Sequence, residues 1–391
     1  MSSKRSSHSS HSGQTKSTSN STSTTSNIER RSSAYDADFE QHLVDHGIYP
    51  EGYEYPDDGK TPKPSNLEEI RQRLAQPRPS LSPSLFLDSA FWDFKLANGR
   101  VIKEGDVMRA VLPTIHGNAD IPNQGDLLFT RLESITNEAT VDAKPDFYDG
   151  APLESIDRQV REKLSHYIIP TGHRTAPVAP NFFTEVKAPS GGADVAKRQI
   201  TYDLSLGARG MHELRLYGVD KPVFDNNAYT LGATYHDGTL KMYTTHITPP
   251  TGPRQLPEYH TTQIDAWALS GNPNTFRQGA AALRNGRDMT MEWRNQFISA
   301  ANERATHLDA ETPTLESPSY IGVSDSKDAY PIEDLSNITQ ESETSADKHA
   351  VDTPVKPIPS KKRPSKGSGK TIFKAPRRRT GRSRRKHRSK V

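Results

Sequence analysis

At 391 residues the chain is long enough for two average domains, yet it contains no cysteine, which excludes disulfides, cysteine-ligated zinc and any thiol nucleophile. The formal net charge of +3 conceals a division: residues 361–391 hold fifteen Lys and Arg and no Asp or Glu, so the remainder is net acidic. No apolar run approaches the length of a membrane span, and the Ser-rich, basic N-terminus lacks the apolar segment of a secretory signal.

These features predict a soluble intracellular chain with one folded domain and two tails. Residues 1–33 are mostly Ser, Thr, Asn, His and basic residues without apolar periodicity, a composition that cannot offset the entropy of ordering. Residues 34–308 read as a single α/β domain, 309–360 as an acidic disordered linker and 361–391 as a basic disordered tail.

Within the domain, Asp38 to Gly47 predicts a short helix stopped by glycine, and the Tyr- and Pro-rich stretch from Ile48 to Pro64 predicts a surface wrap. Asn66 is placed to cap a helix from Leu67 to about Leu74, ended by Pro77–Pro83. Phe86 to Leu96 is aromatic and apolar, and Val101 to Ile115 carries a helical pattern that includes Glu104. Leu127–Leu132 reads as a strand. Leu153, Ile156, Val160, Leu164 and Ile168 recur at three- and four-residue steps, the pattern of an amphipathic helix. Phe182–Lys187 reads as a strand, followed by a Pro-Ser-Gly-Gly loop and a long helix from near Asp194. Tyr229–Tyr235 and Thr239–Ile247 read as a hairpin about His236-Asp237-Gly238, and Thr261–Leu269 reads as a short helix or strand. Asn274 would cap a final helix from Phe276 to about Leu308, weakened in its middle by Gly286.

The segment Asn181-Phe182-Phe183-Thr184-Glu185-Val186-Lys187 carries the most chemistry. Side chains alternate along a strand, so Glu185 and Lys187 share a face. A second carboxylate on the turn Pro145-Asp146 would complete a site for a hard divalent cation, which takes oxygen ligands. Asp146 and Glu185 are the candidate ligands of Mg2+ or Mn2+, with Glu104 as a third acid. Lys187 is placed to orient a water or shield charge on an attacked phosphate.

The order helix with Glu104, strand, Pro-Asp146, Glu185-Val186-Lys187, helix and hairpin resembles the PD-(D/E)xK nuclease superfamily. Lys144 to Gly150, Asn181 to Lys187, Arg198 to Asp203, Gly207 to Arg209 and Ala282 to Asn285 are similar to a fungal family of unknown function. The resemblance spans roughly Phe39 to Leu308. It implies a restriction-endonuclease-like mixed sheet flanked by helices, with Asp146, Glu185, Lys187 and Gln199 as catalytic residues. Two departures stand. A whole helix separates Asp146 from Glu185, and Gln199 and Tyr202 are three apart where members related to recombination nucleases have Gln and Tyr four apart.

The site therefore admits two readings: a metal-dependent nuclease, or a retained fold with an eroded site that binds nucleic acid or chromatin through its basic tail. Lys197, Arg198 and Gln199 could meet phosphates or form an ordinary polar helix face. Arg284 and Arg287 are set to ion-pair with Asp288 or Glu292. The histidines show no ligand spacing. Gly367-Ser368-Gly369-Lys370-Thr371 imitates a phosphate loop, but Pro364 occupies its first glycine position.

Lys361, Lys362, Arg363 and Lys366, followed by Arg377–Arg388, resemble a two-part nuclear localisation signal, implying a nuclear import receptor as partner and nuclear rather than cytoplasmic residence. Deleting 361–391 from a fluorescent fusion is expected to abolish nuclear accumulation; unchanged accumulation would reject the assignment.

Overall fold

The computed structural model describes residues 30–56, 59–221, 223–251 and 255–311; the predicted tail segments before and after these lie outside the described residues. In chain order the elements are α1 (Phe39–Asp45), β1 (Ile48–Tyr49), α2 (Leu67–Leu74), a 3-10 turn (Pro79–Leu81) and α3 (Asp88–Asn98). A continuous helical run follows as α4 (Glu104–Asp106), a π segment (Val107–Val111) and α5 (Leu112–His116). Then come β2 (Asn123–Gln124), β3 (Phe147–Ala151), α6 (Arg158–Ile168), β4 (Val178–Lys187), α7 (Ala193–Leu216), β5 (Ala228–His236), β6 (Thr239–Thr248), β7 (Glu258–Ala268) and α8 (Pro273–Glu311). No described helix is long and apolar enough to cross a membrane.

The seven strands form one mixed sheet in the order β1-β7-β6-β5-β4-β3-β2. β2, β3 and β4 are antiparallel neighbours, β5 lies parallel to β4, and β5, β6 and β7 form an antiparallel meander. The parallel step from β4 to β5 requires a crossover, which α7 supplies. All ten residues of β4 are buried, as expected of a strand covered on both faces. Pro180, which cannot donate to a ladder, sits where the pairing with β3 slips and before the ladder with β5 begins.

Alternation along β4 divides two cores. Phe182 and Val186 join one cluster with Leu283 and Met289 of α8, whereas Phe183 joins the other with Ile200 and Leu204 of α7. Two glycines permit the close approach of the long helices. A Cβ on Gly207 of α7 would stand 2.7 Å from the ring of Phe183, and one on Gly286 of α8 would stand 2.8 Å from the methyl of Met242. Gly286 thus has a packing role that offsets its poor helix propensity.

Several expectations are revised. Leu127–Leu132 is a loop, held by the Phe129 amide on the Ala143 carbonyl, with the Phe129 ring edge-on to Tyr148; the strand of this region is Asn123–Gln124. The Ile48 wrap begins as β1, which pairs parallel to β7 through Ile48 and Tyr49. Thr261–Leu269 belongs to a strand. Asn66 does not cap α2; its amide group bonds both ways with the backbone of Ala228 at 2.9 Å, pinning the start of β5. At α8 the capping side chain is Asn272, whose Oδ1 accepts from Asn274 and Thr275 at 3.0 Å. Ser32, placed by composition in the tail, is buried and bridges to Thr140.

Arg287 on α8 does not pair with Asp288 or Glu292. It forms a two-pronged bond to Asp149 of β3, with Nε and Nη2 each 2.8 Å from a carboxylate oxygen. Asp288 pairs with Arg78 and Glu292 with Arg73. The Arg287–Asp149 pair is almost wholly buried and ties the last helix to the sheet. Removing one partner strands the other charge, so Asp149→Asn or Arg287→Met is expected to cost about 3–5 kcal/mol in urea unfolding. The double replacement Asp149→Leu with Arg287→Met should recover most of that loss; a double variant as unstable as the sum of the singles would contradict this role.

Candidate functional site

The antiparallel register pairs Phe147 with Thr184, so Asp146, one residue earlier, meets Glu185 across the β3–β4 ladder. The helix between them in sequence does not separate them in space, because α6 leaves β3 and the chain returns to pair with it. The two carboxylates are fastened to each other's strands. The Asp146 amide donates to Glu185 Oε1 at 3.1 Å, and the Val186 amide donates to Asp146 Oδ2 at 2.8 Å.

Lys187, two residues beyond Glu185 on the same face, is 1 % exposed. Its Nζ donates to the Val186 carbonyl at 3.1 Å and lies 3.2 Å from Glu104 Oε1 on α4. Burial alone would lower its pKa, but Asp146, Glu185 and Glu104 outweigh that and hold it raised, so the ammonium stays charged. Thus Glu104, Asp146, Glu185 and Lys187 come together.

A further acid completes the cluster. Asp203 of α7 is buried and within electrostatic reach of Glu185, Asp146 and Lys187. Burial pushes Asp203 up to about 8. Glu185 is raised well above the carboxylate range by burial and then by Asp146 and Asp203. Asp146 is raised by burial, against the pull of Lys187. Among the described residues, Glu185 Oε2 and Asp203 Oδ2 have no donor. Four acids around one amine leave an excess of negative charge that only protons or a cation can relieve. Tyr35, half exposed, stands within electrostatic reach of Lys187, Glu104, Asp146 and Glu185.

Asp203 escapes a sequence reading because an aspartate inside a helix reads as part of a solvated face. The signal was its setting: Ile200 through Met211 forms an unbroken buried run, so a carboxylate within it needs a partner. Gln199 lies one turn before Asp203 on the same helix face, with its Oε1 buried and unpartnered. Tyr202 points elsewhere, edge-on to Phe39 of α1.

The neighbouring cations have structural partners. Lys197 donates to the Glu51 carbonyl at 2.7 Å, and Arg198 pairs with Asp194 at 2.5 Å and donates to the Asp36 carbonyl at 3.2 Å. His246 and His260 face each other across β6 and β7, depressed by burial to about 4 and about 3. Among the described residues, no group of three or more His, Asp or Glu is arranged to hold a metal ion. A metal at the cluster would therefore rest on the carboxylate pair Asp146 and Glu185, with water filling its remaining positions.

Comparison with protein-family models, curated proteins and solved structures returns no match.

Asp203 titrates near 8 in the folded chain and near 4 when unfolded, so the folded state holds the extra proton between those values. The stability this contributes is complete below about pH 4 and is lost as pH rises toward about 8. Asp203→Asn removes this residue's share of the slope and leaves that of Glu185 and Asp146, which burial also raises. Urea midpoints should show the variant gaining on the parent as pH rises and exceeding it at pH 8; a gap independent of pH would contradict the shift.

Proposed function

We propose that this protein is a metal-dependent phosphodiesterase of the PD-(D/E)xK type acting on nucleic acid. The observation that carries the proposal is the meeting of Asp146 and Glu185 across paired strands, with Lys187 on the same face. The element order supports it: a helix carrying Glu104, an antiparallel β2-β3-β4 unit, the crossover helix α7, then β5 parallel to β4.

In this reading Asp146 and Glu185 would hold Mg2+ or Mn2+, and Glu185 Oε2, which has no donor among the described residues, is an oxygen open to a hard cation. Such an ion, when bound, supplies Lewis-acid polarisation of the phosphate and an acidified water. Lys187, kept charged by its acidic neighbours, shields the negative charge that builds on the attacked phosphorus. Glu104 fixes the Lys187 ammonium in place, and Asp203 backs Glu185 from α7. Gln199, one turn from Asp203, belongs to the same wall. The basic residues 361–391 would add sequence-independent attraction to phosphates that weakens as salt rises, and would engage an import receptor.

A second reading, a non-catalytic nuclease-fold protein that binds nucleic acid or chromatin through its basic tail, is favoured by the enclosure of Lys187 and its pairing with Glu104. Purified protein is expected to cleave DNA or RNA with Mg2+ or Mn2+ and to lose activity in chelator. Glu185→Ala, Lys187→Ala and Asp146→Ala should each lower the rate by about 10²–10³. Cleavage unchanged in Glu185→Ala and Lys187→Ala would sink the catalytic reading. No cleavage by the parent, with binding abolished by deletion of 361–391, would establish the second.

A further inference from the structure

On the α8 face of the sheet, opposite the carboxylate cluster, a cavity of about 370 Å³ opens between the Pro79–Leu81 turn, the end of α5 and the middle of α8. Three arginines line it: Arg78, Arg284 and Arg287. Two have counter-ions, Arg78 with Asp288 at 2.5 Å and Arg287 with Asp149 at 2.8 Å. Arg284 has none among the described residues. Its Nε donates to the Ile115 carbonyl at 2.9 Å, Nη2 to the Thr114 carbonyl at 2.8 Å, and Nη1 to the Ser80 hydroxyl at 3.3 Å. A guanidinium offers five N–H donors, so two are left over.

The surroundings are shaped around this group. Gly117 takes a left-handed conformation with φ +64°, and a Cβ there would lie 2.6 Å from the guanidinium carbon of Arg284. Burial, followed by repulsion from Arg78 and Arg287, pulls Arg284 down to about 10. Capping the carbonyls at the end of α5 accounts for its hydrogen bonds. It does not account for an uncompensated cation beside two others at an open cavity, an arrangement that an entering anion would neutralise.

We propose that this cavity binds the phosphate group of a small phosphorylated molecule, with Arg284 as the principal contact. The volume falls in the range of small-molecule sites, roughly 300–1,000 Å³, and exceeds what a bare oxyanion needs. Phe86, stacked on Phe276 with ring centroids 4.7 Å apart, and Pro113 provide a firm apolar wall for the body of the ligand. Asp288 at the same wall opposes a second phosphate beside Arg78, which favours a monophosphate. The ligand class is therefore a phosphomonoester of about nucleotide size. The proposal does not depend on the reading of the carboxylate cluster, which lies on the α7 face.

The test is isothermal titration of the full chain in chelator at constant ionic strength, with inorganic phosphate in one arm and adenosine 5′-monophosphate in the other. The parent should bind at least one of them saturably. Tighter binding of the nucleotide supports a phosphorylated small molecule as the ligand; equal or tighter binding of phosphate would overturn that ligand class in favour of the free anion. Arg284→Gln should weaken binding at least tenfold. Because that variant also loses contacts to α5, Ala119→Trp at the half-buried rim serves as a second block that leaves Arg284 intact and should weaken binding equally. Attraction to residues 361–391 would be indifferent to either change. No saturable binding by the parent, or binding unaltered in Ala119→Trp, would overturn the proposal.

Discussion

β4 is buried along its whole length between helices on both faces, yet four of its ten residues are Asn181, Thr184, Glu185 and Lys187. A buried polar group must be hydrogen-bonded and a buried charge must be balanced, so much of the surrounding structure is shaped by what these four demand. Asn181 is satisfied by the carbonyls of Tyr229 and Thr290, at 3.0 and 2.9 Å, and by Arg294 of α8. Thr184 meets His116 of α5 at 3.4 Å, with the imidazole held neutral by burial and then by Arg287 and Arg284. Glu185 and Lys187 are answered on the α7 face by Asp146, Asp203 and Glu104. The first two are closed arrangements. The last is not, because the acids outnumber the amine and two carboxylate oxygens find no donor.

The short run Pro145-Asp146-Phe147-Tyr148-Asp149 shows how one strand serves both sides. Asp146 and Asp149 are three apart and so point to opposite faces of the sheet. Asp149 accepts both prongs of Arg287 and behaves as a structural anchor between β3 and α8. Asp146 instead engages β4 through backbone amide bonds and faces Lys187 and Glu185. Burial raises both carboxyls; what differs is the relief, a whole guanidinium for Asp149 and, for Asp146, a Lys187 ammonium shared with Glu185 and Glu104. That contrast is the reason for reading Asp146 and its partners as a candidate site rather than as part of the scaffold.

Much of this was legible in the sequence. Periodicity placed α2, α7 and the β5–β6 hairpin close to their observed limits, because each follows its own local repeat, and gave the end of α6 but not its start, since Leu153–Ser155 forms a separate 3-10 turn before Arg158. Elements fixed by distant partners were not legible. β1 is two residues long and exists through its pairing with β7, and Leu127–Leu132 has strand composition but gives Leu127, Phe129 and Leu132 to the core from a loop. Glu185 and Lys187 followed from alternation alone. The partnership of Asp146 was obscured by α6, since sequence distance hides a ladder that closes after an excursion. Asp203 was missed because a helical aspartate looks solvated until the burial of the whole run is seen. Arg284 and Arg287 look alike along α8, and only the sheet distinguishes the one with a carboxylate from the one without.

The central claim is that the β3–β4 pairing builds a cation site from Asp146 and Glu185 beside Lys187. Anomalous diffraction from crystals equilibrated with Mn2+ tests it most directly, since it reports occupancy irrespective of turnover. The account predicts a single strong peak bridging the Asp146 and Glu185 carboxylates next to the Lys187 ammonium, absent in Glu185→Ala. A lack of anomalous density there at saturating Mn2+ would contradict it.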